Sequence, residues 1–327
     1  MPSSSNFPIF LTVSSEAAGM RLDQFLAAQM PETSRARLQQ LIGAEKVLIN
    51  GAPVKASLRL RGGERITVLA AAQAPALRAM AEDIPLEIVY EDDDLAVVNK
   101  PAGMMVHAGA GASEGERNRG TLVNALLHRF GRLSGVGGEL RPGIVHRLDK
   151  ATSGLVVAAK NDAAHRKLAA QFMRREVKKK YIALLHGWMK QDRGTVTGAI
   201  SRDRVRRTRM TTRRSGGRAA ITHYTVQRRI ESQFGKFTLL ELKIDTGRTH
   251  QIRVHMASLG HPVVGDTLYG APGELRGRSA TTLSLDRNFL HAAALGLAHP
   301  RTGAPLSFNC ELPPELGTFL KRIEQGL

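Results

Sequence analysis

In the first seventy residues, apolar positions recur first at the spacing of a helix and then in short runs typical of strands. The segments RLDQFLAAQM (21–30) and ARLQQLIGAEK (36–46) place apolar residues at helical spacing. In VLINGAPV (47–54), apolar runs flank Asn50-Gly51, a dipeptide typical of a tight hairpin turn. ERITVL (64–69) has the composition of a strand. We predict two helices followed by a small sheet.

From residue 84 onwards the pattern is rich in strands, with helices between some of them. Two helices are predicted, AAHRKLAAQFMRRE (163–176), capped by Asn161 or Asp162, and HQIRVHMASL (250–259), capped by Thr249. Strands and helices do not alternate as strict βαβ units, so we predict an α+β fold with a mixed, largely antiparallel sheet. The predicted strands are LEIVY (86–90), LAVVNK (95–100), SGLVVAAK (153–160), KYIALLHG (180–187), AAITHYTVQRRI (219–230) and FTLLELKID (237–245).

An alanine-rich stretch containing Pro75 separates these two regions and has the composition of a linker. We therefore predict a four-part organisation. It consists of an N-terminal tail or strand (1–18), a small helix-helix-strand module (19–69), a linker (70–83) and a larger domain (84–327).

Composition narrows the class of protein. The chain has 327 residues, 42% of them hydrophobic, and a formal net charge of +18, which predicts a polyanionic partner: nucleic acid first, an anionic membrane surface second. The single cysteine, Cys310, excludes an internal disulfide and a cysteine-cluster zinc site. No apolar run approaches the roughly 18 residues of a membrane helix, and the N-terminus lacks a basic region before its short apolar stretch. We expect a cytoplasmic protein.

Common cofactor and nucleophile motifs are missing. The sequence has no GxxxxGK[ST] loop, no strand-bounded GxGxxG, no GxSxG and no HExxH. The 11 histidines are scattered, so we expect no metal site. The most unusual segment is RPGIVHRLDKATSGLVVAAK (141–160), which places Asp149 between Arg147 and Lys150 at a turn between two predicted strands. Its residues alone are compatible with a ligand-facing loop or with a surface cluster of salt bridges.

HRLDKATSGLVVAAK (146–160) resembles the catalytic motif of the RluA-type RNA pseudouridine synthases. Four further segments resemble family motifs in the same order: LEIVYEDDDLAVVNKPAGMMVH (86–107), KKKYIALLHG (178–187), SRDRVRRTRMTT (201–212) and GRTHQIRVHMASLGHPVVGDTLYG (247–270). Residues 21–55 resemble an S4 RNA-binding module. An S4 module before such a domain is the layout of RluC- and RluD-like enzymes, which modify large-subunit ribosomal RNA.

The resemblance implies conversion of uridine to pseudouridine in RNA, without redox cofactor, nucleotide or metal. The expected partner is structured RNA, in particular large-subunit ribosomal RNA or pre-ribosomal particles, with RluD-like specificity and a monomeric enzyme. Asp149 matches the catalytic aspartate, which would attack C1′ or C6 of the nucleotide or remove a sugar proton. Arg248 matches an arginine that pairs with this aspartate, although a contact to phosphate is the alternative. Tyr181 matches a tyrosine expected to stack on the uracil.

Other matches are assigned to RNA binding. Arg147 resembles an arginine that holds the RNA open around a flipped base, and Ile252 offers an apolar wall or core packing. The segment 202–218 holds 8 arginines and one acidic residue, which favours contact with phosphates. The remaining candidate RNA contacts are His146, Lys100, Arg35, Arg37, Lys180, Arg206, Arg207 and Arg209.

Two other functions remain open at this point. A ribosome-associated RNA-binding protein without catalysis would use the S4-like module and the charge, but would have no need for Asp149, Tyr181 and Arg248. A basic DNA-binding protein would bind duplex DNA as well as structured RNA, although the sequence has no helix-turn-helix or zinc-finger spacing.

Overall fold

The computed structural model describes residues 8–31, 33, 35–69, 78–108, 119–203, 205–206, 208–212, 216–277 and 281–326. The chain forms two compact units, Met1–Ala76 and Leu77–Leu327. Most of the predicted linker, along with Arg207 and the side chain of Arg37, lies outside the described residues. No described helix has the length and hydrophobicity needed to cross a membrane.

The first unit packs two helices against a four-stranded antiparallel sheet with strand order β1-β4-β2-β3. Asn50 and Gly51 both have positive φ, as a tight β2–β3 hairpin requires. The predicted helix-helix-strand arrangement is confirmed, and the sheet also includes a strand from the N-terminal segment. The elements are β1 (Ile9–Thr12), α1 (Leu22–Gln29), α2 (Arg35–Gly43), β2 (Val47–Ile49), β3 (Ala52–Pro53) and β4 (Arg65–Val68).

The second unit is built on a long mixed sheet with strand order β10-β9-β11-β12-β8-β15-β7-β6-β5, and β16 also pairs with β15. Its strands are β5 (Glu87–Glu91), β6 (Leu95–Lys100), β7 (Ser153–Ala159), β8 (Lys178–His186), β9 (Arg193–Arg202), β10 (Met210–Thr211), β11 (Arg218–Ser232), β12 (Gly235–Ile244), β15 (Leu290–Ala298) and β16 (Pro305–Asn309). The helices are α3 (Leu122–Phe130), α4 (Asp162–Arg174), α5 (Gln251–Ser258) and α6 (Pro314–Gln325), and a small hairpin pairs β13 (Glu274–Arg276) with β14 (Thr282–Ser284).

The predicted α+β class with a largely antiparallel sheet is confirmed. The pairing of β15 with β7 is parallel, whereas its other neighbours, β8 and β16, are antiparallel to it. Strand β7 is buried along its whole length because helices cover both faces of the sheet. Val156 packs in a cluster with residues of α3 and α6, while Leu155 and Val157 pack in a cluster with residues of α4. The side-chain period of two thus divides one apolar strand between two cores.

The structure tests three local predictions. Asn161 caps α4, since its Oδ1 accepts a hydrogen bond from Ala164 N at 2.9 Å. Thr249 as a helix cap is wrong, because α5 begins at Gln251 and His250 occupies the cap position with φ 55°. The apolar run before Asp149 is not a strand, since its pairing consists of one isolated bridge between Ile144 and Ala158.

Candidate active site

Asp149 lies in the loop that leads into β7, on the wall of a cavity of about 470 Å³. Its backbone oxygen accepts a hydrogen bond from Thr152 N at 3.1 Å, which closes the turn before the strand. Gly154 follows with φ 116°, and a Cβ there would lie 2.3 Å from the Ala292 carbonyl oxygen on β15. The motif therefore needs glycine at this position because a neighbouring backbone is too close for any side chain.

The cation that holds Asp149 is Arg253. Its Nη1 donates to Asp149 Oδ2 at 3.1 Å, while its Nε and Nη2 donate to the carboxylate of Asp266 at 2.6 and 2.8 Å. Burial opposes the charge of the guanidinium, but Asp266 and then Asp149 raise the pKa of Arg253 above its usual value. Among the described residues, no side chain hydrogen-bonds to Oδ1 of Asp149.

The predicted pairing of Arg248 with Asp149 is wrong. Arg248 precedes α5, and its Nε donates to the carbonyl oxygen of Ala219 on β11 at 3.3 Å. Arg253 is two residues into α5, where its side chain is buried and turned towards Asp149 and Asp266. The signal was present in GRTHQIRVH, which contains both arginines. Only the start of the helix determines which of them faces the carboxylates.

Tyr181 lines the same cavity from β8 and is buried. Burial, and then the charge of Asp149, raise the pKa of Tyr181 well above its usual value, so its hydroxyl stays protonated at neutral pH. Among the described residues nothing hydrogen-bonds to this hydroxyl. Ile252 is also buried and lines the cavity, and Arg147 is exposed at its edge. With Arg248 and His146, which also line the cavity, the structure brings together six of the predicted site residues.

The alternation of side chains along β8 places the three lysines before Tyr181 on different faces of the strand. Side chains alternate along β8, so Lys179 shares the cavity face with Tyr181 while Lys180 points to the other face. Lys180 Nζ instead contacts Glu241 Oε2 at 3.1 Å. Lys180 therefore does not line this cavity, and its contact with RNA stays a prediction. Lys179 is the residue that sequence reasoning missed, although a period of two would have selected it.

His146 and Lys100 both make contacts that stabilise the loop, although His146 also lines the cavity and its contact with RNA stays a prediction. The His146 ring stacks on Phe172 with centroids 4.6 Å apart, and its Nε2 accepts a hydrogen bond from Val157 N at 3.0 Å. Burial, and then Lys179, lower the pKa of His146 to about 3. Lys100 is fully buried, which contradicts its predicted contact with RNA. Its Nζ donates to carbonyl oxygens of Pro101 and Met104 and, at 3.4 Å, Lys150.

The other predicted RNA contacts lie outside this cavity. In the first unit, Arg35 pairs with the buried carboxylate of Asp23 at 2.8 Å and is half-exposed. In the second unit, Arg206 is exposed, and Arg209 places its guanidinium carbon 5.1 Å from the ring centroid of Tyr269. Tyr269 and its neighbour His250 were not predicted, although both occur in the segment 247–270.

One group of described residues has the donor types of a metal site, but it lies away from the cavity. Ligand atoms of Asp92, Asp94 and His299 lie within 4.8 Å of one another. Arg301 donates two hydrogen bonds to Asp94 at 2.7 and 2.9 Å, and His299 Nε2 lies 2.8 Å from Asp92 Oδ2. These partners already compensate the acidic charge at the β5–β6 turn.

Comparisons with known proteins identify the family of the chain. The RNA pseudouridylate synthase family matches residues 94–258, and the S4 domain matches residues 20–66. The ribosomal large subunit pseudouridine synthase D of Zymomonas mobilis is 42% identical over 317 residues, covering 96% of each chain. The chain belongs to the RNA pseudouridine synthase family. The predicted family and S4 module are therefore confirmed, and the synthase is an isomerase that converts uridine to pseudouridine in RNA.

Two further relatives align with most of the synthase. An RNA pseudouridine synthase of Bacillus subtilis is 41% identical and covers 97% of this chain and 99% of its own. The structure of human RNA Pseudouridylate Synthase Domain Containing 1 is 31% identical, with a TM-score of 0.56, and covers 73% of the synthase and 89% of that chain. Catalysis by the synthase excludes the RNA-binding protein without activity that the sequence alone left open.

Proposed function

We propose that this synthase isomerises specific uridines of large-subunit ribosomal RNA at Asp149, with the specificity of synthase D. The observation that carries the assignment of Asp149 is its contact with Arg253 on the wall of the 470 Å³ cavity, which Tyr181 also lines. The RNA target is supported by relatives named ribosomal large subunit pseudouridine synthase D, from Zymomonas mobilis and Salmonella typhimurium, both 42% identical.

The chemistry needs an ionised carboxylate with one free oxygen close to the ribose. Arg253 holds Oδ2 and stabilises the negative charge, which leaves Oδ1 for the nucleotide. From this position Oδ1 would attack C1′ or C6, or accept a sugar proton. Tyr181 would stack on the uracil, and its protonated hydroxyl is available for proton transfer at C5.

The RNA backbone is proposed to enter over the arginines next to the catalytic cavity. A second cavity of about 400 Å³ is lined by Arg202, Arg218 and Arg248, and shares Arg248 with the first. Because Arg248 does not hold Asp149, it is available to phosphate, which was the alternative left open by the sequence. Arg147, exposed at the cavity edge, would fill the gap left by a flipped base. We propose a cytoplasmic monomer that needs neither metal nor cofactor.

Asp149→Asn tests the catalytic assignment, because asparagine keeps the shape of the side chain and removes the charge. With an RNA transcript carrying tritium at uridine C5, we expect no measurable tritium release and an RNA affinity within about twofold of wild type, since direct phosphate contacts dominate affinity. Asp192→Asn is the matched control, as Asp192 is exposed and pairs with Arg229. Normal turnover of Asp149→Asn would refute the assignment.

The RNA target is tested in cells. Pseudouridines of ribosomal RNA are mapped with and without the gene, and with a copy encoding Asp149→Asn. We expect particular large-subunit positions to lose the modification in the deletion strain and to regain it only with the wild-type copy. If large-subunit RNA is unchanged while a transfer RNA loses its modification, the proposed target is wrong and the isomerase activity stands.

A further inference from the structure

Tyr269 lies between the arginine-rich segment and the residues that hold Asp149. Its ring is buried in the short 3-10 turn Thr267–Tyr269, directly after Asp266. The guanidinium carbons of Arg209 and Arg253 lie 5.1 and 5.0 Å from its ring centroid. One of these arginines belongs to the predicted RNA-binding segment, and the other binds Asp149 directly. Tyr269 therefore contacts both the RNA-facing segment and the catalytic cation.

The hydroxyl of Tyr269 makes two hydrogen bonds with different directions. It accepts from Met210 N, on β10, at 2.9 Å, and it lies 2.8 Å from Nδ1 of His250. Burial raises the pKa of Tyr269 to about 12, so the hydroxyl keeps its proton. Because Nε2 of His250 faces the carboxylate of Asp149, a proton on Nε2 is favoured, and the Tyr269 hydroxyl then donates to Nδ1. A neutral imidazole that accepts at Nδ1 carries its proton on Nε2. The tyrosine thereby fixes the tautomer of His250.

The Nε2 atom of His250 faces the catalytic carboxylate. It lies 3.9 Å from Oδ2 of Asp149, which is longer than a hydrogen bond. Burial first, opposed by the charge of Asp149, lowers the pKa of His250 from its usual value. Arg147 and Asp149 face this imidazole from the motif loop, Arg253 from α5 and Asp266 from the turn before Tyr269. The Nε2–H group of the neutral imidazole is therefore a donor that would need to move about 1 Å to form a hydrogen bond with Asp149 Oδ2.

We propose that Tyr269 and His250 are positioning residues that couple RNA binding at the arginine-rich segment to the orientation of Asp149. When phosphates bind Arg209, the arginine-rich segment shifts and, through Met210, moves Tyr269. The N–H group of His250 then forms a hydrogen bond with Oδ2 of Asp149. Asp149 is then held by two donors on Oδ2, with Oδ1 directed at the nucleotide. The inference rests on the proposed catalytic role of Asp149.

The test separates the rate of the bound complex from RNA affinity. Tyr269→Phe keeps the ring between the two arginines and removes only the hydroxyl. Under single-turnover conditions with saturating enzyme and the tritiated transcript, we expect a rate about tenfold below wild type, the effect of losing one oriented hydrogen bond. RNA affinity should stay within about twofold, because no phosphate contact is lost. Tyr90→Phe is the matched control, since that hydroxyl donates to Asp92 at 2.7 Å, away from the cavity.

Two further variants show whether the residues act as a unit. His250→Gln keeps a neutral donor near the Nε2 position and should retain more activity than His250→Ala. Adding Tyr269→Phe to His250→Ala should slow the reaction no further, because a coupled pair is non-additive. Wild-type rate in Tyr269→Phe, or additive losses in the double variant, would overturn the coupling. Full turnover of Asp149→Asn would instead remove the catalytic role on which it rests.

Discussion

His146 offers a quantitative test of the catalytic loop, because its imidazole must stay neutral to support Val157. Its Nε2 accepts the Val157 N–H, a role that a doubly protonated imidazolium cannot fill. His146→Gln replaces it with an amide whose oxygen occupies a similar position and does not titrate. His146→Phe keeps the aromatic contact with Phe172 and removes the acceptor. Both variants remove the titrating imidazole, but one keeps the hydrogen-bond acceptor and the other keeps the aromatic contact.

The magnitude follows from the difference in pKa between folded and unfolded protein. The pKa of His146 falls from 6.5 to about 3 on folding. Between these values the unfolded chain binds a proton that the folded protein does not, so stability is full above 6.5 and declines as the pH falls towards 3. From about pH 7.5 to about pH 5, this residue lowers the free energy of unfolding by about 2 kcal/mol. Neither variant carries this loss.

Urea unfolding at the two pH values measures the difference, with Trp188 fluorescence as the signal. Trp188 is the single tryptophan of the chain and belongs to the second unit, so unfolding of the first unit does not contribute. Relative to wild type, both variants should gain about 2 kcal/mol on acidification, whatever their stability at neutral pH. A pH-independent difference between wild type and variants, within about 0.5 kcal/mol, would refute the neutral His146.

Three other variants test features of the same site. Arg253→Gln leaves Asp266 buried without its cation and should lower the free energy of unfolding by about 3–5 kcal/mol. Adding Asp266→Asn should restore part of this stability. Urea unfolding followed by Trp188 fluorescence measures both variants. Gly154→Ala should cost about 2 kcal/mol or more in the same assay, because a Cβ there meets the β15 backbone; an unchanged midpoint would contradict this. Lys100→Met should lower stability by about 1–3 kcal/mol yet leave the salt dependence of RNA binding unchanged, as a buried lysine releases no counterion from RNA.

The sequence predicted those elements whose hydrophobic pattern is clear, but not β9, β15, β16, α3 or α6. The Asn50-Gly51 hairpin and the cap at Asn161 follow from local backbone chemistry, which does not depend on distant residues. The parallel pairing of β15 with β7 was not predictable in this way. It joins Ser153 to His291, residues 138 positions apart, and no local pattern specifies such a contact.

The site was predicted as a set of motifs but not as a set of contacts. Asp149 and Tyr181 could be chosen because each stands alone in its motif. The choice between Arg248 and Arg253 depends on where α5 begins, and helix ends are the least certain feature of a sequence prediction. Lys100 misled for a different reason: a lysine in a basic protein suggests phosphate, whereas this one is enclosed by carbonyl oxygens.

The position of β15 in the sheet also determines when a growing chain acquires its cavity. Strand β7 continues the loop of Asp149 and β8 carries Tyr181, and the two are joined in one sheet only through β15. Before Leu290–Ala298 is synthesised, the strand that joins β7 to β8 is therefore missing. At roughly 5–20 residues per second, the interval between synthesis of β7 and of β15 is about seven to thirty seconds. All arginines except Arg301 and Arg322 precede β15, so the chain carries nearly all of its arginine charge before the sheet that joins Asp149 and Tyr181 can close.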